Sequence, residues 1–355
     1  MSDILFWVLG FFALFGALDR IFGNRFGLGR EFENGLQAMG SLMLAMAGIV
    51  TLAPILAEGL KPLVVPVFKL LGADPAMFAG SILACDMGGG ALARAMTEDP
   101  RAAVLGGVFT GSMLGATVVF TIPVALGILK EEDRPALAKG ILCGVVTIPV
   151  GILVSGLTAG FPLGMVLRNL IPIVLLAGLI AFGLWKWEKK MIRAFTLFGQ
   201  FVVVLSTFGL AAGIFQSLTG FETLPGLAPI SLAIETVGAI AVVLAGAFPL
   251  VFVLTKALKK PLSILGRLLH INEEAAAGLI ASLANSIASF SLVEKMNERG
   301  KVLNVAFAVS AAFVFGDHLG FAAGFAPDYV IPMILGKLAG GFSALALALV
   351  LTKKD

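Results

Sequence analysis

Long apolar runs alternate along the chain with short stretches that collect charge, glycine and proline. A helix needs about 20 predominantly apolar residues to cross a bilayer. Nine runs are read as full spans: Ile4 to Leu18, Gln37 to Leu56, Ala102 to Leu129, 140–159, 165–187, 194–217, Ser231 to Leu254, Val302 to Phe325 and Ile331 to Leu351. Leu60 to Leu71, with Lys61, Pro62, Pro66 and Lys69, is too short to cross and reads as a half-length or interfacial helix. Lys256, Lys259, Lys260, Pro261 and Arg267 repeat that basic, proline-bearing pattern. The first run has Asp3 and no lysine or arginine before it, unlike a secretory signal, so it is expected to remain in the mature protein.

Two places break the apolar pattern in the same way. Ala84-Cys85-Asp86-Met87-Gly88-Gly89-Gly90 puts a carboxylate before three glycines, and Leu283-Ala284-Asn285-Ser286-Ile287-Ala288-Ser289 holds a similar place about 200 positions later. Each glycine costs a helix about 1 kcal/mol relative to alanine, so a break just after Asp86 is predicted. The two halves match in order: Met39-Gly40 with Val237-Gly238, Ala47-Gly48 with Ala245-Gly246, Lys61-Pro62 with Lys260-Pro261, Ala79-Gly80 with Ala277-Gly278. Asp86 then falls opposite Asn285, Glu98 opposite Glu298 and Arg101 opposite Lys301, an internal repeat of about 34–129 and 230–326 within one transporter domain.

Charge orients the repeats. Loops at 19–33, 130–139, 186–193 and 256–270 and the C-terminus are basic and expected on the cytoplasmic side. Those near 160, at 218–229 and at 326–328 carry no lysine or arginine and are expected outside, as is the N-terminus. The alternation works only if 62–96 and 261–296 each return to the side they left. The expected fold is therefore an all-α polytopic membrane protein with about nine full spans and two re-entrant or broken segments in an inverted repeat, an elevator-like carrier architecture.

Composition adds the solvent. Apolar residues make up 59% of the 355, only 13% are charged, and 43 glycines lie largely within the apolar runs, which favours closely packed helices over a barrel. No run is left for a soluble catalytic domain, and no nucleotide motif, zinc signature or serine elbow is present, so no enzyme, cofactor or metal site is expected. The net charge of +3 sits in short loops and implies no nucleic-acid partner. Cys85 and Cys143, the two cysteines, have no paired spacing and read as small buried apolar residues.

Ionisable groups at membrane depth are functional candidates by default. Asp86 alone could cap a helix; its glycines and partner stretch favour a ligand site facing Asn285, Ser286 and Ser289. Glu235, opposite Gln37 in the repeat, is a second candidate carboxylate, with pairing to Lys337 as the structural alternative. Asp317-His318 would relay protons, bind ligand or join helices. Phe109, Phe290 and Phe313 could offer cation–π faces, although most of 28 phenylalanines will simply pack. Such a set suits a small cation with hydroxyl character.

Phe32-Glu33-Asn34-Gly35-Leu36-Gln37-Ala38-Met39-Gly40, Leu52-Ala53-Pro54, Gly72 to Gly80, Leu83 to Gly89 and Phe120 to Gly127 resemble the bacterial ethanolamine permease family, EutH, most closely over about residues 30–155. The resemblance implies a cytoplasmic-membrane protein that facilitates ethanolamine uptake, with the lipid bilayer as surroundings and a homo-oligomer left open. A channel-like facilitator and a non-transporting receptor for a small amine are the alternatives.

Overall fold

The computed structural model describes residues 2–257, 266 and 268–352, and among these the regular structure is entirely helical. Lys259, Lys260, Pro261, Arg267 and the terminal Lys353-Lys354-Asp355 lie outside the described residues. In chain order the helices are α1 (Ser2–Ile21), α2 (Leu28–Leu70), α3 (Ala76–Ile82), α4 (Gly89–Met96), α5 (Pro100–Ile128), α6 (Arg134–Thr158), α7 (Leu163–Thr219), α8 (Ile230–Ala257), α9 (Glu273–Ala284), α10 (Ser286–Phe290), α11 (Glu298–Ala311), α12 (Asp317–Phe325) and α13 (Val330–Leu351). Seven of them, α1, α2, α5, α6, α7, α8 and α13, are long and apolar enough to cross a membrane. Trp7, Leu44, Leu179, Val204 and Val242 stand exposed on their outer faces, as lipid contact requires.

Three features differ from the reading by hydropathy. First, the expected half-length helix at 60–71 is continuous with the span before it, so that α2 runs for 43 residues through Pro54, Pro62 and Pro66. Second, α7 is 57 residues long but loses helical geometry at Trp187 (φ −135°, ψ 45°). Residues eight apart in a straight helix are separated by about 12 Å. A Cβ on Gly183 would nevertheless lie 2.8 Å from Met191 Sδ, so the chain folds back at Trp187 and the expected spans 165–187 and 194–217 occupy its two arms. Third, the expected span 302–325 is not continuous: α11 ends at Ala311, Phe313 takes a left-handed conformation (φ 62°), and α12 starts at Asp317. Backbone N–H groups freed by that break donate elsewhere, Phe313 to the Ser282 carbonyl at 3.0 Å and Phe315 to the Leu283 carbonyl at 2.9 Å. Gly316 lies so close to the Ala284 carbonyl that a side chain there would collide with it.

Two helix–break–helix hairpins result. In the first, α3 leads into extended Leu83, a single turn over Cys85–Met87 and the left-handed Gly88 (φ 88°), after which α4 returns. The break thus brackets Asp86 on both sides, while Gly89 and Gly90 are already helical and packed. Thr97 Oγ1 donates to Asp74 Oδ2 at 2.8 Å, joining the hairpin's two ends. In the second, α9 leads to Asn285, extended (φ −158°, ψ 128°), and α10 follows. Here Asn272 and Asn297 each receive the other's backbone N–H on a side-chain oxygen, at 3.3 and 3.4 Å.

Helix α5 is π-helical over Leu105–Gly115 and Thr117–Thr121. With i→i+5 bonding a turn holds about four to five residues, so Gly106, Gly111 and Gly115 fall along one face. That face meets the first hairpin at the Ala76 carbonyl, the Cys85 backbone and the Leu83 carbonyl. The helix also separates two sets of polar contacts. Beyond its C-terminal end lie the Lys130–Glu294 and Lys301–Asp133 ion pairs, the latter at 2.6 Å. Near its N-terminal end Asp74 N–H donates to Asn169 Oδ1 at 2.7 Å.

Candidate functional site

Asp86, held at the tip of the first hairpin by the turn before Gly88, faces a cavity of about 180 Å³. Its walls are Ser41, Leu42 and Ala45 from α2, Ala116 and Phe120 from α5, and Phe313, Asp317 and His318 from the second chain break. His318 is buried, with Nε2 3.7 Å from Asp86 Oδ1, beyond hydrogen-bond reach. Its Nδ1 has no partner. The Cys85 thiol donates to Asp86 Oδ1 at 3.9 Å. Phe313 packs against His318 with ring centroids 5.1 Å apart and edge-on against Phe120 at 5.4 Å. Two carboxylates, an imidazole and two aromatic rings therefore surround one small space.

Lys337, on α13, is 1% exposed, and its Nζ donates to the Ser112 carbonyl at 2.6 Å. Ser112 stands about one turn before Ala116 of the cavity wall, which brings the Lys337 ammonium near the site. The pairing with Glu235 that the sequence left as an alternative does not form: Glu235 is exposed and lines a different cavity. Glu235 lines a second, larger cavity of about 570 Å³ together with Met46, Pro54, Arg94, Phe321 and Phe325. Arg94 stacks on Phe325 at 3.7 Å from the ring centroid and donates from Nη2 to its carbonyl at 2.7 Å. Both cavities follow the same two helices: α4 leads from the Asp86 turn to Arg94, and α12 from His318 to Phe325.

The remaining expected residues stand apart from Asp86. Asn285 caps α10, accepting from Ile287 N–H at 2.8 Å. Ser289 Oγ donates to Asn304 Oδ1 at 3.2 Å, and Ser286 Oγ is buried without a partner. None of the three lines the Asp86 cavity. The turn before Asp317 is bonded to the second hairpin on one side and lines that cavity on the other, so the two hairpin tips do not face each other directly. Gln37 is exposed and donates to Glu33 Oε1 at 3.4 Å, one helical turn before Ser41, which does line the cavity. Ser41, Phe120 and the closeness of Cys85 to His318 escaped the reading of the chain, because nothing local in the sequence brings them together. Lys337 stood out as a charge in an apolar run, but its partner did not.

A polytopic helical membrane protein whose ionisable side chains converge where helices are broken has the build of a membrane transport protein. Residues 1–351 match the family described as ethanolamine utilisation protein, EutH, and the chain belongs to that family. It is similar to a "Probable ethanolamine permease EutH" of Listeria monocytogenes, 56% identical over 354 residues that cover 100% of this chain and 95% of the relative. An "Uncharacterized protein YxeR" of Bacillus subtilis is 51% identical, covering 98% and 94%. A "Probable ethanolamine permease EutH" of Salmonella typhimurium is 46% identical, covering 100% and 96%, in an alignment of 393 positions that includes residues this chain lacks. No solved structure matches significantly.

Proposed function

We propose that this protein transports protonated ethanolamine across the bacterial cytoplasmic membrane, as the printed names of its relatives suggest for them. The convergence of Asp86 and Asp317 on one buried cavity carries the reading. Ethanolamine has four non-hydrogen atoms, roughly the room of three or four waters at about 30 Å³ each, which fits a cavity of about 180 Å³. Its ammonium pairs with the two carboxylates and meets the faces of Phe120 and Phe313, and its hydroxyl reaches Ser41. Lys337 offsets part of the carboxylate charge when the amine is away.

Hairpin length supports a site near the midplane. At 1.5 Å per residue the seven residues of α3 and eight of α4 reach about 10–12 Å into a hydrocarbon layer about 30 Å thick. The sorting of contacts along α5 supports opposite orientations for the two repeats, 34–129 and 230–326. Glu98 lies at the end of α5 where the first hairpin closes, and Glu298 at the end where Lys301 pairs with Asp133. With basic loops inside, the first hairpin enters from outside and the second from the cytoplasm. The N-terminus is then outside and the C-terminus cytoplasmic. The larger cavity, also lined by Ala228 of the loop without lysine or arginine, becomes an outer vestibule in which Glu235 gathers cations. Asn285 and Ser286, at the second tip, meet the amine only after the hairpins shift against a scaffold, as in elevator carriers.

Uptake into vesicles of the purified protein tests this. Saturable uptake with counterflow of labelled ethanolamine is the expected result. Uptake that does not saturate would replace the carrier by a channel, and no uptake would leave only a receptor.

A further inference from the structure

Cys85 and His318 cluster with Asp86, the proposed counter-ion, and transport of an amine gives neither of these two a role. The ligand atoms Sγ, Oδ and a ring nitrogen all lie within 4.8 Å of one another, with Sγ to Oδ1 at 3.9 Å and Nε2 to Oδ1 at 3.7 Å. Around a tetrahedral zinc, with bonds of about 2.3 Å to sulfur and 2.0–2.2 Å to nitrogen and oxygen, such atoms stand about 3.4–3.6 Å apart. The three side chains are thus already close to that spacing, and two of them are buried, Cys85 at 0% exposure and His318 at 2%. The imidazole makes no hydrogen bond in this arrangement: Nδ1 is unpartnered and Nε2 is too far from the carboxylate. A buried imidazole without partners is costly, and a metal bond at Nε2 would relieve part of that cost.

We propose that Cys85, Asp86 and His318 bind a thiophilic divalent cation such as Zn²⁺ or Cd²⁺. A thiolate, an imidazole and a carboxylate are the donor set such ions prefer over magnesium or calcium. Asp86 and His318 line the cavity, so water from it would fill the fourth position, while Asp317, on the same cavity wall, stands outside the cluster. Charge balances: the Cys85 thiol releases its proton to solvent on binding, and the thiolate with Asp86 and Asp317 then carries three negative charges against the divalent ion and Lys337. Spacing along the chain hides the site, because His318 lies more than 200 positions from Cys85.

The test uses the purified full chain, without transport, so it does not depend on the transport reading. Cd²⁺ is titrated while the thiolate-to-metal absorption in the ultraviolet is followed. The expected result is one equivalent bound by the parent protein and by Cys143→Ala, with at least tenfold weaker binding and no thiolate band for Cys85→Ser. His318→Gln keeps the thiol and weakens binding similarly. Thermal unfolding of each variant checks that it is folded, and a Cys85→Ser chain that fails this check is replaced by Cys85→Ala. No thiolate band in the parent protein, or an undiminished band in folded Cys85 variants, overturns the proposal.

Discussion

Thr97 and Asp74 join the two ends of the segment that carries Asp86, hydroxyl to carboxylate at 2.8 Å. The carboxylate is already engaged, its other oxygen accepting from Ala76 N–H at 2.8 Å, so the clasp also fixes the start of α3. Thr97→Val keeps the shape and removes the donor. A hydrogen bond to a charged group contributes about 1.5–3 kcal/mol, and a loss of stability of that order is expected. Thermal unfolding of the purified variant measures it, and an unchanged transition would mean that the clasp does not hold the hairpin.

Glu235 stands in the wall of the larger cavity, the proposed outer vestibule, and is exposed. Its part in the account is to raise the local concentration of cations, an effect that salt screens. Glu235→Gln is expected to raise KM about two- to tenfold at low ionic strength, with little change in the maximal rate. The difference from the parent protein shrinks as salt is added. An equal change at all ionic strengths would assign Glu235 a contact role in its place.

The Lys301–Asp133 pair at the opposite end of α5 has side chains only 12% and 2% exposed, whereas Glu298, the second partner of Lys301, is 75% exposed. Breaking a buried pair costs about 3–5 kcal/mol, and an exposed one under about 1 kcal/mol. Asp133→Ala is therefore expected to lower the unfolding temperature far more than Glu298→Ala. Equal effects would contradict this ranking.

Lys130, in the loop after α5, is held above the ordinary lysine range by its hydrogen bond to Glu294. A cation whose folded value is raised contributes stability that is complete below the unfolded value of about 10.4 and fades as pH rises through the folded one. Between pH 6 and 8 the Lys130→Met variant is thus expected to differ from the parent by a constant amount in unfolding temperature. A difference that changes across that window would mean that another group titrates with it.

Much of the fold follows from local pattern. The helical hairpin around Asp86 is announced by a carboxylate and glycines inside an apolar run, and the folding back near Trp187 by the basic loop at 186–193. Gly88 carries the break, while Gly89 and Gly90 serve packing, a division that composition cannot make because all three glycines look alike in sequence. The break at Phe313 has no proline and only Gly316 to mark it; it exists because Ser282 and Leu283 accept the freed backbone bonds from a distant helix end. The site shows the same division. Asp86, Asp317 and His318 each stand out as polar groups in apolar runs, but their meeting, the aromatic walls and the placing of Asn285 on a separate tip are properties of packing alone.

The central claim is that the Asp86 carboxylate pairs with the ammonium of ethanolamine. Asp86→Asn removes the charge and keeps the shape, and uptake into vesicles measures the consequence. Loss of one partner of a buried ion pair costs about 3–5 kcal/mol, so affinity is expected to fall about a hundredfold or more, with uptake at low ethanolamine reduced in proportion. Ethanolamine transport by folded Asp86→Asn at the parent rate and affinity would contradict the account.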